Sequence, residues 1–84
     1  MTAHDDELRS VRSLSTIAED VYTNWPKVNY AAEPYLDAMR SLDRITDRYF
    51  EDSAGSIVRY FLSNATSWRG EHARRIKAEL KSML

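Results

Sequence analysis

Apolar residues recur at spacings of three and four along the last third of the chain. The series is Ile57, Phe61, Ala65, Trp68, Ala73, Ile76, Leu80 and Met83, with His72 and Leu84 beside the same line. This is the period of one α-helical face, kept in phase from Ser53 to Leu84. It predicts a rod about 48 Å long at about 1.5 Å per residue. Asp52 or Ser53 is placed to cap it, since a short side-chain oxygen satisfies the unpaired N–H groups of a first turn. Its weak stretch is Asn64 to Gly70, where Asn, Thr, Ser and Gly each lower helix propensity. A kink or break belongs at residues 66–70, but the preserved phase favours one continuous helix, bent at most.

The same periodicity predicts a first helix from about Asp5 to Thr23. Leu8, Val11, Leu14, Ala18, Val21, Tyr22 and Trp25 share its inner side, and Asp5, Asp6 and Glu7 suit the positive end of its dipole. Pro26 stops it, because the residue before a proline is pushed out of the α region. Asn24 to Asn29 reads as a connection. A second helix starts between Ala31 and Pro34 and runs to about Arg44, with Tyr35, Leu36, Met39 and Leu42 inward. Residues 45–52 read as a turn, since Thr46, Asp47 and Asp52 are poor helix-interior residues. The expected fold class is therefore all-α: a small three-helix single domain over residues 1–84 with a long C-terminal helix.

Composition narrows the function classes. With 84 residues and no cysteine, neither a disulfide framework nor a thiolate metal site can reinforce the core. No run approaches the roughly 18 apolar residues of a membrane span. The acidic start, Asp5-Asp6-Glu7, is unlike a secretion signal, so the expected location is the cytoplasm. The net charge of −1 hides an asymmetry: residues 1–52 carry six Lys/Arg against eleven Asp/Glu, and residues 53–84 carry six against two. An acidic half packed on a basic half accounts for this. A basic helix docking on an acidic partner or a phosphate backbone is the sharper alternative.

Catalytic chemistry has little to work with. There is no Gly-rich phosphate loop, no His-Glu-x-x-His and no Gly-x-Ser-x-Gly, and the acidic pairs fall at helix starts and turns. The expectation is a non-enzyme with no cofactor and no metal. Arg69 and His72 fall within the apolar face of a continuous rod, where an unpaired charge is costly. Arg69 either pairs with Asp37, Asp43 or Asp47, or lines a partner-binding seam with Trp68, His72, Ile76 and Leu80. Arg74, Lys77 and Lys81 form a basic stripe that could contact nucleic acid; three or four phosphate contacts would give a log–log salt slope of only roughly −3. Among the aromatics, Trp25, Tyr30, Tyr49 and Tyr60 are candidate partner anchors, because Tyr and Trp dominate binding hot spots.

Trp68-Arg69-Gly70 matches the Trp-X-Gly signature of type VII secretion substrates only in letters, since that motif sits in a central turn between two long helices and this one lies near the C-terminus, inside a run that keeps helical phase. Other stretches resemble short, functionally uncharacterised proteins of actinobacterial phages and prophages. They are Asn29-Tyr30-Ala31-Ala32-Glu33-Pro34-Tyr35-Leu36-Asp37-Ala38-Met39, Asp52-Ser53-Ala54, Val58-Arg59-Tyr60-Phe61-Leu62-Ser63-Asn64-Ala65, Trp68-Arg69-Gly70-Glu71 and Ala78-Glu79-Leu80. The resemblance spans roughly residues 25–84. It implies a viral accessory protein acting in the host cytoplasm and supplies no site. A first helix of about 29 Å would leave about 20 Å of the rod uncovered. A homodimer through that overhang is the economical solution, with a host protein as a further partner and nucleic acid as the alternative.

Overall fold

Four short helices and one β-hairpin account for residues 11–84, which the computed structural model describes. The helices are α1 (Leu14–Asn24), α2 (Glu33–Met39), α3 (Ala54–Ser63) and α4 (Glu71–Met83); β1 (Arg48–Tyr49) pairs antiparallel with β2 (Asp52–Ser53).

The start of α1 is set by hydroxyls. Ser13 adopts an extended conformation and its Oγ accepts from the Thr16 N–H at 3.1 Å, so the helix begins at Leu14. The expected continuation back through Val11 and Arg12 is corrected accordingly: neither is helical, and Val11 is exposed. The part of that expectation covering residues 1–10 lies outside the described residues. The remaining first-turn amides are taken by other groups: Leu14 N donates to Asp43 O, Ser15 N to Leu42 O and Ile17 N to Ser13 O. The exit of α2 thus closes the open end of α1. Leu14, Ile17, Ala18 and Val21 form the buried stripe, and Trp25 continues it inward just before Pro26.

Glu33 and Pro34 open α2, where the missing proline N–H costs nothing. The helix ends at Met39 rather than Arg44, because 39–42 tighten into i→i+3 turns with Ser41 Oγ bonded back to Ala38 O. Leu36, Met39 and Leu42 are buried as expected. Asp47 Oδ2 then accepts from the Asp43 and Arg44 N–H groups, each at 3.0 Å, turning the chain into the hairpin. Those two donors hold the Asp47 carboxyl below the usual carboxylate range.

The long C-terminal rod is not formed. Ser53 does cap α3, its Oγ accepting from Ser56 N at 3.0 Å, but the helix stops at Ser63. Asn64 folds its side-chain amide onto Tyr60 O, Ala65 N bonds Leu62 O, and Trp68 N bonds Ala65 O. Gly70, at φ 111° and ψ −175°, starts α4 in a conformation open almost only to glycine. The chain doubles back, bringing Leu84 beside Gly55. The apolar phase survives the break because successive i→i+3 turns also point about every third residue inward. Ala65 and Trp68 therefore stay buried although they are not helical. α3 packs chiefly on α2 and α4 on α1, and the core between them holds Phe61, Ile76 and Leu80 at 0% exposure. The overhang from which a homodimer was expected disappears with the rod.

Candidate interaction surfaces

Three of the five residues expected to line a partner seam are core. Trp68 stacks on Trp25 with ring centroids 5.3 Å apart and planes 8° from parallel, and Trp25 meets Phe61 edge-on at 6.3 Å. The Trp68 indole N–H reaches Asn24 O at 3.4 Å. Trp68, Ile76 and Leu80 are buried under the chain's own α1 and so offer no contact surface. This is a correction, and its cause is the fold-back at Gly70.

Arg69 and His72, by contrast, are exposed rather than set in an apolar face. The expected pairing of Arg69 with Asp37, Asp43 or Asp47 is also corrected. Asp37 accepts the Tyr22 hydroxyl at 2.5 Å and lies 3.9 Å from Arg40, while the Asp47 carboxylate serves backbone amides. His72 Nδ1 lies 3.0 Å from an Arg75 guanidinium nitrogen.

A network of charges binds the entry to α1 onto α4. Arg12 makes a two-pronged contact with Glu79 at 2.9 and 2.6 Å, and its third nitrogen reaches Asp20 Oδ2 at 2.9 Å. Arg75 approaches the same Asp20 oxygen at 3.0 Å. Hydrogen bonding from Arg75, then from Arg12, holds the Asp20 carboxyl below its ordinary range against the opposing effect of burial. Two cations and two carboxylates balance, and an internal role as a clasp explains their placement.

The basic stripe is only partly available. The Lys77 ammonium donates to Trp68 O at 2.6 Å, fastening the break between α3 and α4. Burial, with Lys81 and Arg69 nearby, pushes its pKa down. Arg74 and Lys81 are exposed.

Exposed aromatics form the other surface. Tyr35 on α2 and Tyr60 on α3 touch with centroids 5.3 Å apart, and Tyr60 is 49% exposed. Asn29 Nδ2 donates to Asn64 O, and Asn64 Nδ2 donates to Tyr60 O, so the Asn29 side chain, one residue before Tyr30, is tied to the C-terminal end of α3. Tyr30 itself is 84% exposed. Tyr49 is half-buried and Trp25 buried, which leaves Tyr30 and Tyr60 as the surface members of the expected anchor set. The hairpin tip went unnoticed in the sequence: Phe50 is exposed and packs edge-on to Tyr49 at 4.8 Å. Its signal was Tyr-Phe-Glu-Asp between two turn-forming stretches, without the Asn-Gly or Gly that usually marks a tight hairpin.

Among the described residues no group of three His, Asp or Glu side chains is gathered to hold a metal ion. A depression of about 510 Å³ lies between Val11, Arg12, Asp43, Ile45 and Met83. No helix among the described residues is long and apolar enough to cross a membrane. No protein family, curated protein or solved structure matches the chain.

Proposed function

We propose that this chain is a small non-enzymatic interaction module, a phage accessory protein that binds a host protein in the host cytoplasm. The observation that carries the reading is the exposure of Tyr30 and of Tyr60, the latter packed on Tyr35. Most other large side chains are used inside the core, while Tyr60 faces solvent against a half-buried Tyr35, and Tyr30 is exposed beside Asn29, whose side chain bonds the end of α3. Tyrosine offers a large contact area with few torsions to freeze, which is why it concentrates in binding hot spots. A pull-down from the native host with the wild-type chain and with Tyr30→Ala/Tyr60→Ala tests this. Stoichiometric capture of one protein by the wild type, lost in the double variant, is expected. Equal capture by both would end the reading.

A second reading, nucleic-acid association through the outer side of α4, draws on exposed Arg74 and Lys81, with Arg69 close enough to act on Lys77. Lys77 supports it less, being held by Trp68 O. Fluorescence anisotropy at low salt distinguishes the two: binding with a log–log salt slope of about −2 to −3 favours this reading, and absence of binding removes it.

A further inference from the structure

We infer that the β1–β2 hairpin is a self-association knob, through which two copies of the chain meet tip to tip at Phe50. Two independent observations at that residue lead there. Phe50 is 85% exposed, more than any other large hydrophobic side chain among the described residues. It is also their only non-glycine residue with a positive φ, at 57°. The register Arg48↔Ser53 and Tyr49↔Asp52 makes Phe50 and Glu51 a two-residue loop, whose first position favours glycine or asparagine. Local structure thus disfavours phenylalanine twice, once by backbone and once by solvation. Strain and exposure coinciding on one aromatic side chain point to a contact outside the chain.

The charges around Phe50 suit a second copy. Arg48 stands two residues before it and Glu51 one after, both exposed. The Arg48 guanidinium donates to the Glu51 backbone carbonyl at 2.9 Å, and the Glu51 side chain is exposed. A two-fold rotation about the tips brings Arg48 of one copy to Glu51 of the other, and the reverse, so one surface complements itself. Among the described residues the sheet has only these two strands, so each strand also has an edge that no third strand covers. The tip is far smaller than the roughly 800 Å² per partner of a stable interface, so the dimer is transient, with a dissociation constant of about 10 µM to 1 mM. This inference does not rest on the tyrosine surface.

Sedimentation equilibrium of the full chain from about 10 µM to 2 mM spans that range. The weight-average mass should climb from the 9.8 kDa of the monomer toward twice that value. Phe50→Gly and Phe50→Asn should both stay monomeric with a melting temperature at or above the wild type, since both residues tolerate the backbone at position 50. Arg48→Glu should weaken association about tenfold, and Arg48→Glu/Glu51→Arg should recover it. A wild-type mass fixed at the monomer value throughout would overturn the inference. So would dimerisation that survives both Phe50 substitutions, or that Tyr60→Ala abolishes while they do not.

Discussion

Gly70 decides whether residues 53–84 make a rod or a bent pair of helices, and Gly70→Ala tests that directly. A Cβ at this position meets nothing within 4 Å, so space is not the constraint. The constraint is the backbone at φ 111° and ψ −175°, which costs an L-residue about 1–3 kcal/mol. Alanine recovers about 0.4–1 kcal/mol by narrowing the unfolded ensemble. The net loss is therefore about 1–2 kcal/mol. Alanine also favours helix over glycine by about 1 kcal/mol, which would help a straight rod. A rod, however, would lift α4 from α1 and uncover Ile76 and Leu80, both at 0% exposure. At about 1.5–3 kcal/mol for each side chain, that loss outweighs the propensity gain. The variant should keep the fold-back and melt about 5–15 °C lower, at roughly 4–8 °C per kcal/mol for a domain of this size. Circular dichroism melts read the shift, and the far-ultraviolet exciton couplet of the stacked Trp25 and Trp68 reports whether the bend persists. A synthetic chain with D-alanine at position 70 is the control, because the mirror-image residue adopts this backbone without strain; it should be more stable than wild type by about 0.4–1 kcal/mol. An L-alanine variant as stable as wild type, or one whose tryptophan signal vanishes while helicity rises, would refute the reasoning.

Other measurements bear on the core and the charge clasp. Trp68→Ala should cost about 3–5 kcal/mol by opening a cavity against Trp25 and Phe61; against a total of about 4–12 kcal/mol for a chain of this length, denaturant titration should show the unfolding midpoint lowered by roughly half. Asp20 has its folded-state pKa depressed mainly by its Arg75 hydrogen bond, so its contribution is full above the unfolded value of about 4 and is lost as pH falls through the lower folded value. Asp20→Asn should remove about 1 kcal/mol at neutral pH and flatten the acid limb of the stability–pH curve; an unchanged curve below pH about 4 would show that the clasp contributes nothing. Burial, and then the hydrogen bond to Asp37, pushes the Tyr22 phenol up to about 12. Its contribution is present below the ordinary tyrosine value of about 10 and disappears as pH rises through the folded value. Ultraviolet titration should show a late phenol ionisation that Tyr22→Phe deletes, and the idea fails if that substitution leaves the late step in place.

Much of the core was legible as periodicity. Leu14, Ala18, Val21, Leu36, Met39, Ile57, Phe61, Ile76 and Leu80 were all assigned inward from spacing, and all are buried. Pro26 ends α1 and Ser53 caps α3 for reasons that act within a few residues. The errors share one cause. A spacing of three to four cannot separate a helix from consecutive i→i+3 turns, so Ala65 and Trp68 looked helical where they are merely inward. The rod read across that stretch then placed Arg69 and His72 on an apolar face and Trp68, Ile76 and Leu80 on a partner seam. Ser13 was similarly passed over as a cap because Val11 and Leu14 appeared to share a face across it.

By itself the sequence determined which side chains avoid water and where glycine, proline and the short hydroxyls interrupt regular structure, because those preferences belong to single residues and their near neighbours. It did not determine the pairing of Trp25 with Trp68, the sharing of Asp20 between Arg12 and Arg75, or which aromatics were left outside. Those depend on where the chain turns back, and the burial of α4 against α1 selects the bent path. Only after that packing choice do Tyr30, Tyr60 and Phe50 become surface, since whether an aromatic is core or contact is decided by what remains to cover it.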